Sequence, residues 1–76
     1  MPRYFFHVVD GKVWHDEQGV DLPDDSSAIQ EGVRAAGAMI EDLATSFDPS
    51  TPWHMDVVEQ SGRPVLQLRF SGAAVG

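Results

Sequence analysis

The sequence predicts an α+β domain, a two-layer β-β-α-β-β arrangement in which a four-stranded, mainly antiparallel sheet carries one helix packed on one face. Two patterns predict this class. Four short runs rich in apolar and β-branched residues, at 3–9, 12–16, 53–59 and 65–70, are typical of strands. Between the second and third runs, apolar residues recur at intervals of three and four, which is the period of an α-helix.

The first predicted strand, residues 3–9, is apolar on both faces. Such a strand usually lies inside a sheet rather than at its edge. Asp10-Gly11 favours a tight hairpin, so the second strand returns antiparallel to the first. With Asp10 and Gly11 as the two loop residues, we expect His7 to pair with Trp14.

The helix is predicted to follow a loop at residues 17–23 and to end near Phe47, because Asp48-Pro49 cannot continue it. Three residues before it are competent N-caps: Asp24, Asp25 and Ser26. The spacing of its apolar residues predicts a single buried stripe, made of Ile29, Val33, Ala36, Ile40, Leu43 and Phe47.

The two strands after the helix alternate between apolar and polar residues, which predicts one buried and one open face. A right-handed crossover would place the third strand beside the first and give the strand order 2-1-3-4. Residues 1–70 then form a single domain. We expect the C-terminal tail, residues 71–76, to fray because it offers little to anchor it.

The opening motif MPRYFFHVVDG, followed by Asp16-Glu17-Gln18-Gly19 and by Leu22-Pro23-Asp24, also carries a family resemblance. It resembles a family of small uncharacterised bacterial proteins that begin M-P-R-Y-F-F-H-V and are classed as a domain of unknown function. The resemblance covers most of the chain. It implies a shared fold and a bacterial source, and it implies no catalytic activity.

The small size of the chain favours self-association. A domain of 76 residues buries a marginal core, and such domains usually need disulfides, a metal or a partner chain. The chain has no Cys, which excludes disulfides and thiolate zinc sites. We therefore expect a homo-oligomer, most simply a homodimer.

Charge and hydropathy narrow the classes of partner. The formal net charge of −7 argues against nucleic-acid binding, because phosphate contacts require clustered Lys and Arg. No segment approaches the roughly 20 apolar residues of a membrane helix, and no signal peptide is recognisable. We expect a small acidic cytoplasmic protein that binds neither nucleic acid nor membrane.

A single helix covers only one face of the predicted sheet, and the other face is too apolar to be meant only for water. We expect this face to bind a second copy or another protein, which makes the chain a non-enzymatic interaction module without a cofactor. The expected interface residues are Phe5, His7, Val9, Trp14, His54, Val58, Val65 and Arg69.

The sequence leaves two alternative functions open. His7, His54 and Asp56 would project from the same face and supply imidazole and carboxylate ligands for a metal, although no common metal-binding spacing is present. The second alternative is an acidic patch that docks a basic partner or mimics a nucleic acid. Its residues are Asp16, Glu17, Asp21, Asp24 and Asp25.

Overall fold

A computed structural model describes all residues, 1–76, and shows one helix packed on an antiparallel sheet. The predicted α+β class is confirmed. The elements in chain order are β1 (Arg3–Asp10), β2 (Lys12–Trp14), β3 (Val20–Asp21), α1 (Asp25–Asp42), a 3-10 turn (Leu43–Thr45), β4 (Trp53–Glu59) and β5 (Pro64–Phe70).

The sheet has the order β2-β1-β4-β5, with every pair antiparallel. This is the arrangement that the right-handed crossover predicts, and it places β1 inside the sheet as its apolar faces indicate. One strand was not predicted: the two-residue β3, which pairs with the start of β1 on the same side as β2. A two-residue strand leaves no period in the sequence from which it could be read.

The predicted register of the first hairpin is wrong by one residue. Trp14 pairs with Val8, not with His7, and Asp10 pairs with Lys12 across Gly11. Gly11 adopts a φ of 75°, which glycine tolerates without strain. Gly11 alone therefore separates the last paired residues, in place of the expected two-residue turn. As a result, every side chain of β2 points to the sheet face opposite to the predicted one.

Helix α1 begins where the sequence predicts it and ends earlier. The Asp24 side chain caps its N-terminus by accepting a hydrogen bond from the Ser27 backbone N–H at 2.8 Å. The prediction that it extends to near Phe47 is wrong, because α1 ends at Asp42 and the chain tightens into the 3-10 turn. Thr45 and Ser46 are poor helix formers, which accounts for the early end.

The buried stripe of α1 also differs from the predicted one. The residues facing the sheet are Ala28, Gly32 and Ala36, whereas Ile29 and Val33 are exposed. A Cβ atom at Gly32 would lie only 3.2 Å from a methyl group of Val57. The helix therefore sits so close to the sheet that only small residues fit beneath it. The larger apolar residues lie beside this contact. Of the residues predicted for the buried stripe, Ile40 and Leu43 are partly buried against the core, and Phe47 is exposed.

The core lies between α1 and one face of the sheet. Its buried apolar members are Tyr4, Val8, Ala28, Ala36, Trp53, Met55 and Val57. The chain buries only 8 of its 76 residues, so the core is as small as the length predicts. No helix of the structure is both long and apolar enough to span a bilayer.

Candidate functional site

No helix packs on the sheet face opposite α1, and only the loop at residues 15–19 contacts its edge, at Arg3, Phe5 and His7. The strand register decides which side chains form this face. Cross-strand partners share a face, so β1 contributes Phe5, His7 and Val9. We call this the uncovered face. Its other members are Arg3 of β1, Val13 of β2, Asp21 of β3, His54, Asp56 and Val58 of β4, and Val65, Gln67 and Arg69 of β5.

The register error changes the candidate site at one edge. Trp14 lies on the helix side of the sheet, where it lines a groove together with Met39 and Leu43, and not on the uncovered face. Val13, 55% exposed, takes its place on that face. The Asp10-Gly11 pair is compatible with both two-residue and three-residue hairpin loops, so this dipeptide alone does not settle the register.

The uncovered face has an apolar half centred on β1, β4 and β5. Phe5 pairs with Val58 across the strands, and both side chains are half-buried. A register shift beside Val58 leaves Val65 as the extra residue of β5. A shallow hollow lies beside this shift and is bordered by His7, Val58 and Val65. A hollow of this kind can receive an apolar side chain from a partner.

The other half of the uncovered face is a chain of polar contacts. The Nε2 atom of His54 lies 3.3 Å from the Asp56 carboxylate. The Gln67 amide donates to the same carboxylate at 2.7 Å, and Arg69 donates to Gln67 at 3.0 Å. These contacts fix the side chains along β4 and β5 and leave the Arg69 guanidinium exposed.

His7 connects the uncovered face to the loop after β2. Its Nδ1 atom accepts a hydrogen bond from the Asp16 backbone N–H at 3.1 Å. Its ring stacks on Phe5 with centroids 6.3 Å apart and meets the His15 ring edge-on at 5.1 Å. His15, which the residue pattern does not assign to this face, therefore lies at its edge.

The structure brings the three candidate metal ligands to the same face but not into a coordination site. His7 and Asp56 are cross-strand partners, and Asp56 contacts His54, yet no group of three such side chains is arranged to hold a metal ion. The hydrogen bond that His7 accepts at Nδ1 places the proton of the neutral ring on Nε2. A metal-ligating histidine usually has the opposite arrangement, with its second nitrogen donating.

The predicted acidic patch is mostly engaged within the chain. Asp16 accepts hydrogen bonds from the backbone N–H groups of Phe6, Gln18 and Gly19 at 3.0–3.2 Å. Partial burial alone would raise the pKa of Asp16, but these bonds and the nearby His7 lower the pKa below its usual value. Gly19, at a φ of 72°, allows this loop to approach the backbone of β1.

Asp25 ties the start of α1 to the sheet. Its carboxylate accepts two hydrogen bonds from Arg63, at 2.8 and 2.9 Å, and one from the Tyr4 hydroxyl at 2.8 Å. The Arg63 and Tyr4 bonds lower the pKa of Asp25 to about 2. Burial, followed by the contact with Asp25, raises the pKa of Tyr4.

Two of the other predicted patch residues also have partners. Asp21 forms an ion pair with Arg3 at 3.1 Å, and Asp24 is the N-cap of α1. Glu17 is exposed. Four of the five carboxylates therefore hold the loop and the helix in place.

Comparison with known proteins gives a family and no function. No curated protein and no solved structure matches the chain. Residues 3–71, which include every strand and the helix, match the family described as Domain of unknown function (DUF6894). The resemblance to a domain of unknown function is thereby confirmed, and the chain belongs to this family.

Proposed function

We propose that the protein is a non-enzymatic interaction module that forms a homodimer through its uncovered face. The observation that carries the proposal is the charge of this face. Its two arginines, Arg3 and Arg69, are balanced by Asp21 and Asp56, whereas the chain as a whole carries −7. The rest of the chain therefore carries the whole excess of −7, which opposes association through the remaining surface and favours contact through the neutral face.

The small core supports a second copy as the occupant. A domain that buries 8 of 76 residues gains stability from covering further apolar area. Phe5, Val9, Val58 and Val65 are half-buried within one chain, and a facing sheet would complete their burial. Two sheets that pack face to face lie about 10 Å apart, a distance that such side chains fill.

The size of the uncovered face sets the expected strength of the dimer. The three long strands, β1, β4 and β5, have seven or eight residues each, and the short strands β2 and β3 lie one after the other along the free edge of β1. At strand spacings of about 4.8 Å and a rise of about 3.3 Å per residue, this gives a face of roughly 19 by 23 Å. Two such faces bury roughly 900 Å² in projection, which is below the usual range for stable interfaces and within the range of weak, transient ones. We therefore expect a dissociation constant in the micromolar range, with monomer and dimer exchanging.

The experiment compares two charge reversals by sedimentation equilibrium at low salt. Arg69→Glu places two net negative charges on the uncovered face, while Arg34→Glu makes the same change on the exposed part of α1. The wild type and Arg34→Glu should dimerise with similar dissociation constants. Arg69→Glu should weaken the dimer by about tenfold or more, and added salt should restore part of the loss.

Two results would contradict the proposal. One is a wild-type protein that stays monomeric up to millimolar concentration. The other is an equal effect of Arg69→Glu and Arg34→Glu. Such a result would mean that the contact lies on another surface or that association depends only on the net charge of the chain.

A further inference from the structure

We propose that the groove between α1 and the β1–β2 hairpin binds a basic segment of a partner protein that inserts an apolar side chain. The groove lies on the helix side of the sheet, opposite the uncovered face. It therefore does not depend on the dimer proposed above. The residues that form its apolar lining are Phe6, Val8, Trp14, Met39, Leu43 and Trp53.

The apolar lining is unusually accessible for a chain with so small a core. Trp14 is 55% exposed and Met39 is 40% exposed, on opposite walls of the groove. Tryptophan and methionine are both enriched at the centres of protein interfaces. The cavity measures about 430 Å³, enough for one or two large apolar side chains.

The charges around the groove indicate the chemistry of the partner. Asp10 lies on the strand wall and Asp42 on the helix wall, and neither takes part in an ion pair of the structure. This distinguishes them from Asp21 and Asp25, which have arginine partners. A cationic side chain of the partner, next to the inserted apolar group, would find a carboxylate on each wall of the groove.

Trp14 already contacts a cation within the chain. The Lys12 ammonium lies 4.3 Å from the centroid of the Trp14 ring, within the range of a cation–π contact. Lys12 is the only lysine of the chain. A lysine or arginine of the partner would find the same aromatic surface together with the free carboxylates.

The open shape of the groove favours a protein segment over a small molecule. Small-molecule sites usually enclose roughly 70–90% of the ligand surface. This groove is open to solvent rather than enclosed, so a compact ligand would stay largely uncovered. A longer segment can run along the opening and place side chains into it at intervals, as peptides do in other grooves.

The test uses an amphipathic probe peptide made of leucine and lysine, without aromatic residues. The chain has two tryptophans, Trp14 and Trp53, and both line the groove, so their fluorescence reports on this site. Two matched peptides replace every lysine by glutamate or by glutamine. The lysine peptide should change the tryptophan emission and bind about tenfold or more tightly than either control.

Two double variants separate the groove from the general negative charge. Asp10→Asn with Asp42→Asn should weaken binding of the lysine peptide about fivefold or more at low salt. Glu17→Gln with Glu41→Gln removes the same number of charges from exposed positions outside the groove and should change binding less than about twofold. Lys12→Gln should strengthen binding, because it removes a positive charge that competes for Trp14.

Several outcomes would overturn the inference. One is binding of the lysine peptide without a change in tryptophan emission, and another is equally tight binding of the glutamine peptide. Equal losses in the two double variants would show that the peptide responds to net charge alone. In that case the groove is an unfilled part of the core and not a docking site.

Discussion

The close approach of α1 to the sheet makes a specific prediction about two glycines of the same helix. Gly32 faces the sheet, where an added Cβ would lie 3.2 Å from Val57 and 3.4 Å from Leu66. Gly37 is exposed, and an added Cβ there would meet nothing within 4 Å. The two positions share the same backbone conformation and differ only in the space around them.

The expected magnitudes follow from helix propensity and packing. Replacing a helical glycine by alanine stabilises a helix by about 1 kcal/mol, so Gly37→Ala should raise the melting temperature by about 4–8 °C. At Gly32 the same gain is opposed by compression against Val57, which is fully buried. We expect Gly32→Ala to give no gain. Gly32→Leu should destabilise by about 2 kcal/mol, from about 3 kcal/mol of overpacking less the propensity gain.

The assay is urea and thermal unfolding followed by tryptophan fluorescence, since Trp53 is buried in the core. All variants are compared at one protein concentration, because dimerisation would add to the apparent stability. If Gly32→Ala stabilises the protein as much as Gly37→Ala does, the helix is not packed as closely as described. A stable Gly32→Leu variant would refute the same reasoning more strongly.

Two further predictions concern the carboxylates that hold the loop and the helix. The pKa of Asp25 is lowered from 3.8 to about 2, so its contribution to stability is complete above the unfolded pKa and is lost as the pH falls from about 4 towards 2. Asp25→Asn, or Arg63→Gln, should therefore flatten the loss of stability between about pH 4.5 and 2.5 in urea unfolding, and an unchanged slope would contradict this assignment. Asp16→Asn removes the carboxylate that accepts hydrogen bonds from three backbone N–H groups. The Phe6 amide should therefore exchange with deuterium about tenfold faster or more. In the control, Glu17→Gln, the exchange rate of the Phe6 amide should stay unchanged.

Much of the fold could be predicted from the sequence because the patterns that specify it are local in the chain. The alternation in the last two strands, the Asp24 cap and the apolar faces of the first strand each follow from a rule that links residue type to backbone geometry. The strand order followed from the handedness of one crossover. These features do not depend on knowing which residues touch.

The features that the sequence did not predict depend on how the elements pack and pair with one another. Periodicity assigns the helix face by hydrophobicity, so it favoured Ile29 and Val33 over Ala28 and Gly32. Only the closeness of the sheet makes the small residues the buried ones. The one-residue hairpin slip exchanged Trp14 for Val13 on the uncovered face, since a strand has a period of two.

The candidate site was predicted in part for the same reason. Seven of the eight expected interface residues lie on the uncovered face, and Trp14 lies on the other side. The capping and bridging roles of Asp16 and Asp25 arise from contacts with residues far along the chain, such as Arg63, 38 positions away from Asp25. Composition shows only that these residues are acidic.

The measurement that tests the proposed dimer most directly is a concentration series of amide and methyl NMR spectra. If the uncovered face is the interface, signals of Phe5, Val58 and Val65 should shift progressively as the concentration rises through the micromolar range. Those of Val33 on α1 should stay constant. Signals that do not change with concentration, or shifts confined to α1, would contradict the account.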